Sequence, residues 1–220
     1  MRHRREIDGL RALAVVPVVL FHAGFAGFRG GFVGVDVFFV ISGFLITGLL
    51  AEDLAGGRFS LSAFYERRAR RILPALFVVL LSSMIAGWLI LTPAEMEMYS
   101  KSAGAVALFV SNLFLMRNSG YFAVSAEFLP LLHTWSLAVE EQFYIVMPFV
   151  MLALPRLGLR RFTVLLGILA AASFAFSLAL LHRGMTGQAF YLMPTRAWEL
   201  LACALAALVP GAGRKNGVLA

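Results

Sequence analysis

The chain has 220 residues, 60% of them hydrophobic and only 14% charged, with a formal net charge of +7 and a mean hydropathy of +0.85. Soluble domains hold about 45–50% apolar and about 25% charged residues, so this composition excludes a water-soluble globule. In a membrane chain the positive charge is read first as a topology signal rather than as a nucleic-acid footprint, and no nucleic-acid partner is expected. Cys203 is the only cysteine, which excludes an intramolecular disulfide and a CxxC metal site. Neither a metal nor a bound cofactor is expected.

Taken in chain order, the first apolar stretch runs from Leu10 to Phe28 and is interrupted by Arg11 and His22. Its basic start also fits the outline of a signal peptide cleaved among Ala23, Gly24 and Ala26, but the run continues into a series of further spans. Five more stretches follow at 32–50, 72–91, 135–154, 162–181 and 189–209. Each has about 20 residues, enough to cross about 30 Å of hydrocarbon as a helix. Residues 103–116 are also apolar, but make about 21 Å of helix and are too short to cross. The segment 92–134 is therefore expected to be external, with a re-entrant or interfacial helix buried against protein. The predicted fold class is an all-α, polytopic membrane helical bundle of about six transmembrane helices plus that re-entrant helix.

Basic residues mark the cytoplasmic side. With both termini inside, fourteen of the 19 basic residues lie inside, and only Arg29, Lys101, Arg117, Arg183 and Arg196 lie outside or in outer halves of spans. The expected location is a bacterial-type inner (plasma) membrane, with the lipid bilayer as the first partner.

Ionisable groups inside spans are costly and by default indicate a functional site. Arg11 and His22 are about 16.5 Å and about three turns apart, so they share a helix face, with His22 just past mid-membrane. Counting from the outer ends of the spans puts Asp36, Glu140, Arg196 and Glu199 in one slab of the outer half. The alternative for Arg196 and Glu199 is a structural ion pair at i, i+3 spacing. Glu140 and Glu141 are about 100° apart on a helix, so one of the two is expected to point away from a shared cavity. Arg67, Arg68, Arg70 and Arg71 precede Ile72, Leu73 and Pro74, where a new helix is expected to start. A helix start with several guanidinium groups suits a bound phosphate, although lipid headgroups or a topology anchor would use the same residues.

Five motifs carry a family resemblance: Arg11 followed by His22, Gly34–Ile46 (GVDVFFVISGFLI), Arg68 and Arg71 before Ile-Leu-Pro, His133–Tyr144 (HTWSLAVEEQFY) and Arg196–Leu200 (RAWEL). Together they resemble the acyltransferase-3 family of integral-membrane O-acyltransferases. The resemblance implies transfer of an acyl group, commonly acetyl, from cytoplasmic acyl-CoA to a carbohydrate hydroxyl of an envelope or extracellular glycan, such as lipopolysaccharide, exopolysaccharide or peptidoglycan. It implies that His22 is the catalytic histidine, that Arg11, Arg68 and Arg71 handle the donor, and that Glu140 lines the active site. Arg67 and Arg70 join the donor group by proximity. An adjacent carboxylate, Glu140 or Asp36, would orient the His22 ring. Candidate lining residues and oxyanion donors are Ser42, Ser136, Glu141, Arg196, Trp198 and Glu199. Family members usually have about ten spans, so the chain reads as the truncated N-terminal part of a membrane acyltransferase domain: either a fragment or truncated reading frame, or a chain that needs a partner protein to supply the missing helices. The readings from other classes are a proton-coupled transporter and an inactive truncated scaffold.

Overall fold

The computed structural model describes residues 5–118 and 131–209, and every regular element among them is helical. The expectations for Arg2, Arg4, Arg214 and Lys215, and for part of the external segment (119–130), lie outside the described residues. The elements are α1 (Arg5–His22), α2 (Gly34–Ala55), α3 (Leu61–Ile90), α4 (Pro93–Ala107), α5 (Ser111–Asn118), α6 (Thr134–Met151), α7 (Leu154–Leu157), α8 (Leu159–His182), α9 (Thr186–Tyr191) and α10 (Met193–Leu208). Two short 3₁₀ turns, Ala26–Phe28 and Gly31–Val33, join α1 to α2.

Among the described residues, four helical stretches are long and apolar enough to cross a membrane: Gly31–Ala55, Leu61–Ile90, Thr134–Leu157 and Leu159–His182. The first and last of the six expected spans are shorter. The apolar part of α1 is Gly9–His22, about 21 Å, and α10 has 16 residues. The expected first span through Phe28 fails for a local reason. Gly24 adopts φ +78°, the amide of Phe25 donates to the Leu20 carbonyl (3.1 Å) and that of Gly24 to Phe21 (3.1 Å). This is a Schellman ending, for which glycine supplies the left-handed residue. His22 therefore stands on the last turn of α1 rather than in mid-span.

The third helix differs in the opposite direction. It starts eleven residues before Ile72, at Leu61, where the Ser60 hydroxyl accepts from the Ala63 amide (3.4 Å). The arginine cluster consequently lies along the second and third turns, and Pro74 is inside the helix. The expected anion site at a helix start beside those arginines is absent. At 30 residues, about 45 Å, α3 exceeds the hydrocarbon thickness, which lets its basic first turns stand beyond the apolar slab.

Helices α2 and α6 form the interior. Half of the α6 span is buried, against 11% of α3 and 17% of α8, whose outward Val78, Trp88, Leu89, Val164 and Ile168 side chains suit lipid. Without water to drive association, membrane helices gain from close backbone approach at small residues. An added Cβ on Gly31 or Gly34 would come within 2.1 Å of the Pro17 or Ala14 carbonyl oxygen of α1, and one on Gly43 within 2.0 Å of the Leu200 carbonyl oxygen of α10. Phe39, Leu50, Val139, Met147, Phe162, Leu166 and Leu200 complete the core.

The expected single helix at 103–116 is two helices, α4 and α5, broken at Leu108–Val110, where Phe109 has φ +54°. Helix α4 is started by a capping box of Thr92 and Glu95. Two side-chain amides satisfy irregular backbone here. Gln142 Nε2 donates to the Phe109 carbonyl (2.9 Å) and to Asn112 Oδ1 (2.8 Å), while Asn112 Nδ2 donates to the Tyr191 carbonyl (2.9 Å). Non-helical backbone at membrane depth is tolerated only with such partners.

Candidate functional site

Four chain segments bring polar groups to one end of the bundle: the end of α1, the start of α2, the start of α6 and the start of α10. His22 is exposed there. Its Nδ1 lies 2.8 Å from the Val18 carbonyl oxygen; because a carbonyl can only accept, Nδ1 carries a proton, and in the neutral ring the lone pair is then on Nε2. The Phe21 ring meets it edge-on at 5.2 Å. His133, immediately before α6, is near enough to respond to His22, and its pKa is lowered from the ordinary 6.5, first by partial desolvation and then by that neighbour. His133 belongs to a motif quoted from the sequence but was assigned no role by it. Two imidazoles therefore share this end of the bundle.

The four ionisable groups expected in one slab occupy two layers instead. In the layer nearer His22, Arg196 pairs with Asp36 across α10 and α2 and with Glu199 at 3.1 Å, in the i, i+3 arrangement anticipated for that pair. Its guanidinium lies 5.6, 5.9 and 5.7 Å from the ring centroids of Phe39, Trp135 and Phe190. These rings were not anticipated, and they supply the cation–π surroundings that a partly desolvated guanidinium needs.

The deeper layer is centred on Glu140. Ser42 Oγ donates to its Oε1 (2.7 Å) and Tyr144 Oη to its Oε2 (3.4 Å). Ser42 is six residues further along α2 than Asp36, about 9 Å, which separates the layers. Glu141, about 100° round the helix from Glu140, takes a different partner. Arg68 reaches in from α3, donates to Glu141 Oε1 from Nε (3.1 Å) and Nη2 (3.0 Å), and stacks 3.9 Å over the Tyr144 ring. Tyr144 follows Glu140 by one helical turn and so closes the circuit between the two carboxylates. The Arg11 guanidinium is within electrostatic reach of Glu140 and 5.2 Å from the Phe38 ring; its buried Nε has no hydrogen-bond partner among the described residues.

Neither Glu140 nor Asp36 orients the His22 ring. Both carboxylates are held elsewhere, and the Val18 carbonyl does the orienting. The remaining expected residues are dispersed. Arg67 pairs with Asp53 (3.0 Å) and Arg70 with Glu66 (2.7 Å), both at the surface, and Arg71 is exposed on the same helix. Ser136 Oγ donates to its own turn, the His133 carbonyl (3.2 Å). Trp198 faces α8, edge-on to Phe174 at 5.1 Å, and so lies away from the Arg196 cluster.

The bundle thus has His22 near one end, the Arg67–Arg71 cluster at the other, and a network of buried polar side chains between them. The family model described as an acyltransferase domain matches residues 4–216, and the chain belongs to that acyltransferase-3 family. It is 37% identical over 216 residues to the peptidoglycan O-acetyltransferase OatA of Listeria monocytogenes, a match covering 93% of this chain and 34% of that protein. The putative peptidoglycan O-acetyltransferase YrhL of Bacillus subtilis is 36% identical over 220 residues, covering 95% of this chain and 34% of YrhL. The putative membrane-bound transacylase BcsY of Komagataeibacter xylinus is 40% identical over 197 residues, covering 89% of this chain and 49% of BcsY. The chain therefore spans about a third to a half of the length of these relatives. No solved structure matches it.

Proposed function

We propose that the protein moves an acetyl group from cytoplasmic acetyl-CoA to a hydroxyl of an envelope carbohydrate, with peptidoglycan the acceptor favoured by the names of two relatives. The observation that carries this reading is the His22 ring, pinned through Nδ1 to the last turn of α1, so that the neutral ring presents Nε2 as the base. In this reading the arginine-rich end faces the cytoplasm of a bacterial plasma membrane. Arg67 and Arg70 are engaged there in ion pairs at the surface, which are individually weak and exchange readily for phosphate groups. Arg71 stands on the same turn, and Arg11 and Arg68 mark the way inward. The flexible pantetheine arm carries the thioester past Arg11, about 16.5 Å along α1, to His22.

Nε2 of His22 takes the proton from the acceptor hydroxyl as its oxygen attacks the thioester carbonyl. Collapse of the tetrahedral species breaks the C–S bond, the proton passes from His22 to the departing thiolate, and the ester and free coenzyme A leave on opposite sides. Glu140 is fixed by Ser42 and Tyr144 and supports the passage without touching the histidine. The test is radiolabelled acetyl-CoA supplied to membranes carrying the protein and its His22→Ala form. Label in polysaccharide that disappears with His22→Ala supports the reading; label that survives removes His22 from it, and uptake of substrate without ester formation points to transport.

A further inference from the structure

Beside Arg196 lies an open cavity of about 530 Å³, lined by Ser177 and Leu181 of α8, Thr186, Phe190 and Tyr191 of α9, and Arg196 of α10. We propose that this cavity is the acceptor subsite and that it takes a neutral, hydroxyl-rich pyranose of an envelope polysaccharide. The inference rests on the acyl-transfer reading above and adds the location and chemistry of acceptor recognition.

Four observations carry it. The volume is within the 300–1,000 Å³ of small-ligand sites, room for one or two sugar rings. Phe190 is 43% exposed, yet its ring is fixed from behind, 4.6 Å from Trp135 and 4.9 Å from Tyr191. A rigid exposed aromatic ring offers the C–H face of a pyranose an apolar platform at little entropic cost. The charge beside it is balanced, since Arg196 is flanked by Asp36 and Glu199. With its charge met by those two carboxylates, Arg196 offers the cavity N–H donors without a net pull on anions, and the hydroxyls of Ser177 and Thr186 add donors and acceptors. Finally, the cavity is at the His22 end of the bundle. Arg196 in its wall pairs with Asp36 at the start of α2, the end of the bundle where α1 finishes at His22.

The test uses the full chain in detergent and in proteoliposomes, with a tetrasaccharide of N-acetylglucosamine as the probe and tryptophan fluorescence as the readout. Saturable quenching is expected in the parent protein. Phe190→Ala should weaken binding about tenfold, the equivalent of about 1.4 kcal/mol. Ser177→Trp, which fills the cavity from α8, should weaken it at least about tenfold, and Phe190→Trp should restore it to within about threefold. Each variant is checked for its melting temperature, and Phe190→Trp separates loss of the platform from loss of the fold. No saturable binding to the parent, equal binding by Phe190→Ala and Ser177→Trp, or a bilayer lipid tail crosslinked in the cavity in place of sugar would overturn the proposal. The two readings fail separately. Sugar binding that depends on Phe190 without any acetyl transfer sinks the acyltransferase reading alone, and acetyl transfer dependent on His22 but indifferent to Phe190 sinks the acceptor site alone.

Discussion

The two charged layers of this bundle contain the same chemistry, arginine with a pair of carboxylates, in opposite settings. In the deeper layer Glu140 and Glu141 are both buried, and each has its own partners in Ser42, Tyr144 and Arg68. In the layer near His22, Arg196 is shared between two carboxylates, surrounded by rings and bordered by a cavity. A closed polar network fixes helix positions, whereas an open one retains capacity to meet a ligand. The comparison assigns scaffolding to the first and recognition to the second.

The largest effect that would break this comparison is expected from Arg68→Ala. It leaves Glu141 buried without its cation, and losing one partner of such a pair costs about 3–5 kcal/mol. The expected result is a strongly lowered melting temperature or no accumulated protein, with most of the loss recovered in Arg68→Met/Glu141→Leu. Next is Gly43→Val, whose Cβ would meet the Leu200 carbonyl oxygen at 2.0 Å. Prying α2 from α10 should cost about 2–3 kcal/mol and should disturb the Asp36–Arg196 contact that those helices carry, both measured by thermal unfolding in detergent.

In the open layer, Asp36→Asn should lower stability by less than about 1 kcal/mol, because the carboxylate is partly hydrated, while weakening acceptor binding more than any change in donor affinity. A reversed ranking of Arg68→Ala and Asp36→Asn in thermal melts would contradict the division of labour. The smallest effect concerns His133. Its folded-state pKa lies below the ordinary 6.5, so the unfolded chain takes up the proton more readily. Stability is therefore whole above about pH 6.5 and falls as the pH drops from there toward the folded value. His133→Gln should flatten that acidic decline by about 1–2 °C in melting temperature, with no difference from the parent at pH 8.

Much of this was legible in the sequence. Hydropathy and length marked the interior helices, and the spacing of Arg196 and Glu199 anticipated their ion pair. Local signals that could have corrected the rest were also present. Gly24, two residues past His22, is a helix stop, and Ser60 is a helix cap placed twelve residues before the apolar run of α3. Counting depth from hydropathy edges missed both, and so placed His22 in mid-span and the arginines at a helix start. The contacts that divide the polar groups into two layers are of another kind. Ser42 meets Glu140 across 98 residues and Arg68 meets Glu141 across 73; such pairings depend on which helices are neighbours, and periodicity within one helix does not contain that. The amide pair of Asn112 and Gln142 was missed for the same reason.

The central claim is that donor and acceptor reach His22 from opposite faces of the membrane. The most direct measurement places the protein in sealed vesicles of one known orientation, with labelled acetyl-CoA and polysaccharide each supplied to a chosen face. Ester formation is predicted only when acetyl-CoA is at the face of Arg67 and Arg70 and polysaccharide is at the face of His22 and the cavity. Equal ester formation with both substrates confined to a single face would contradict it.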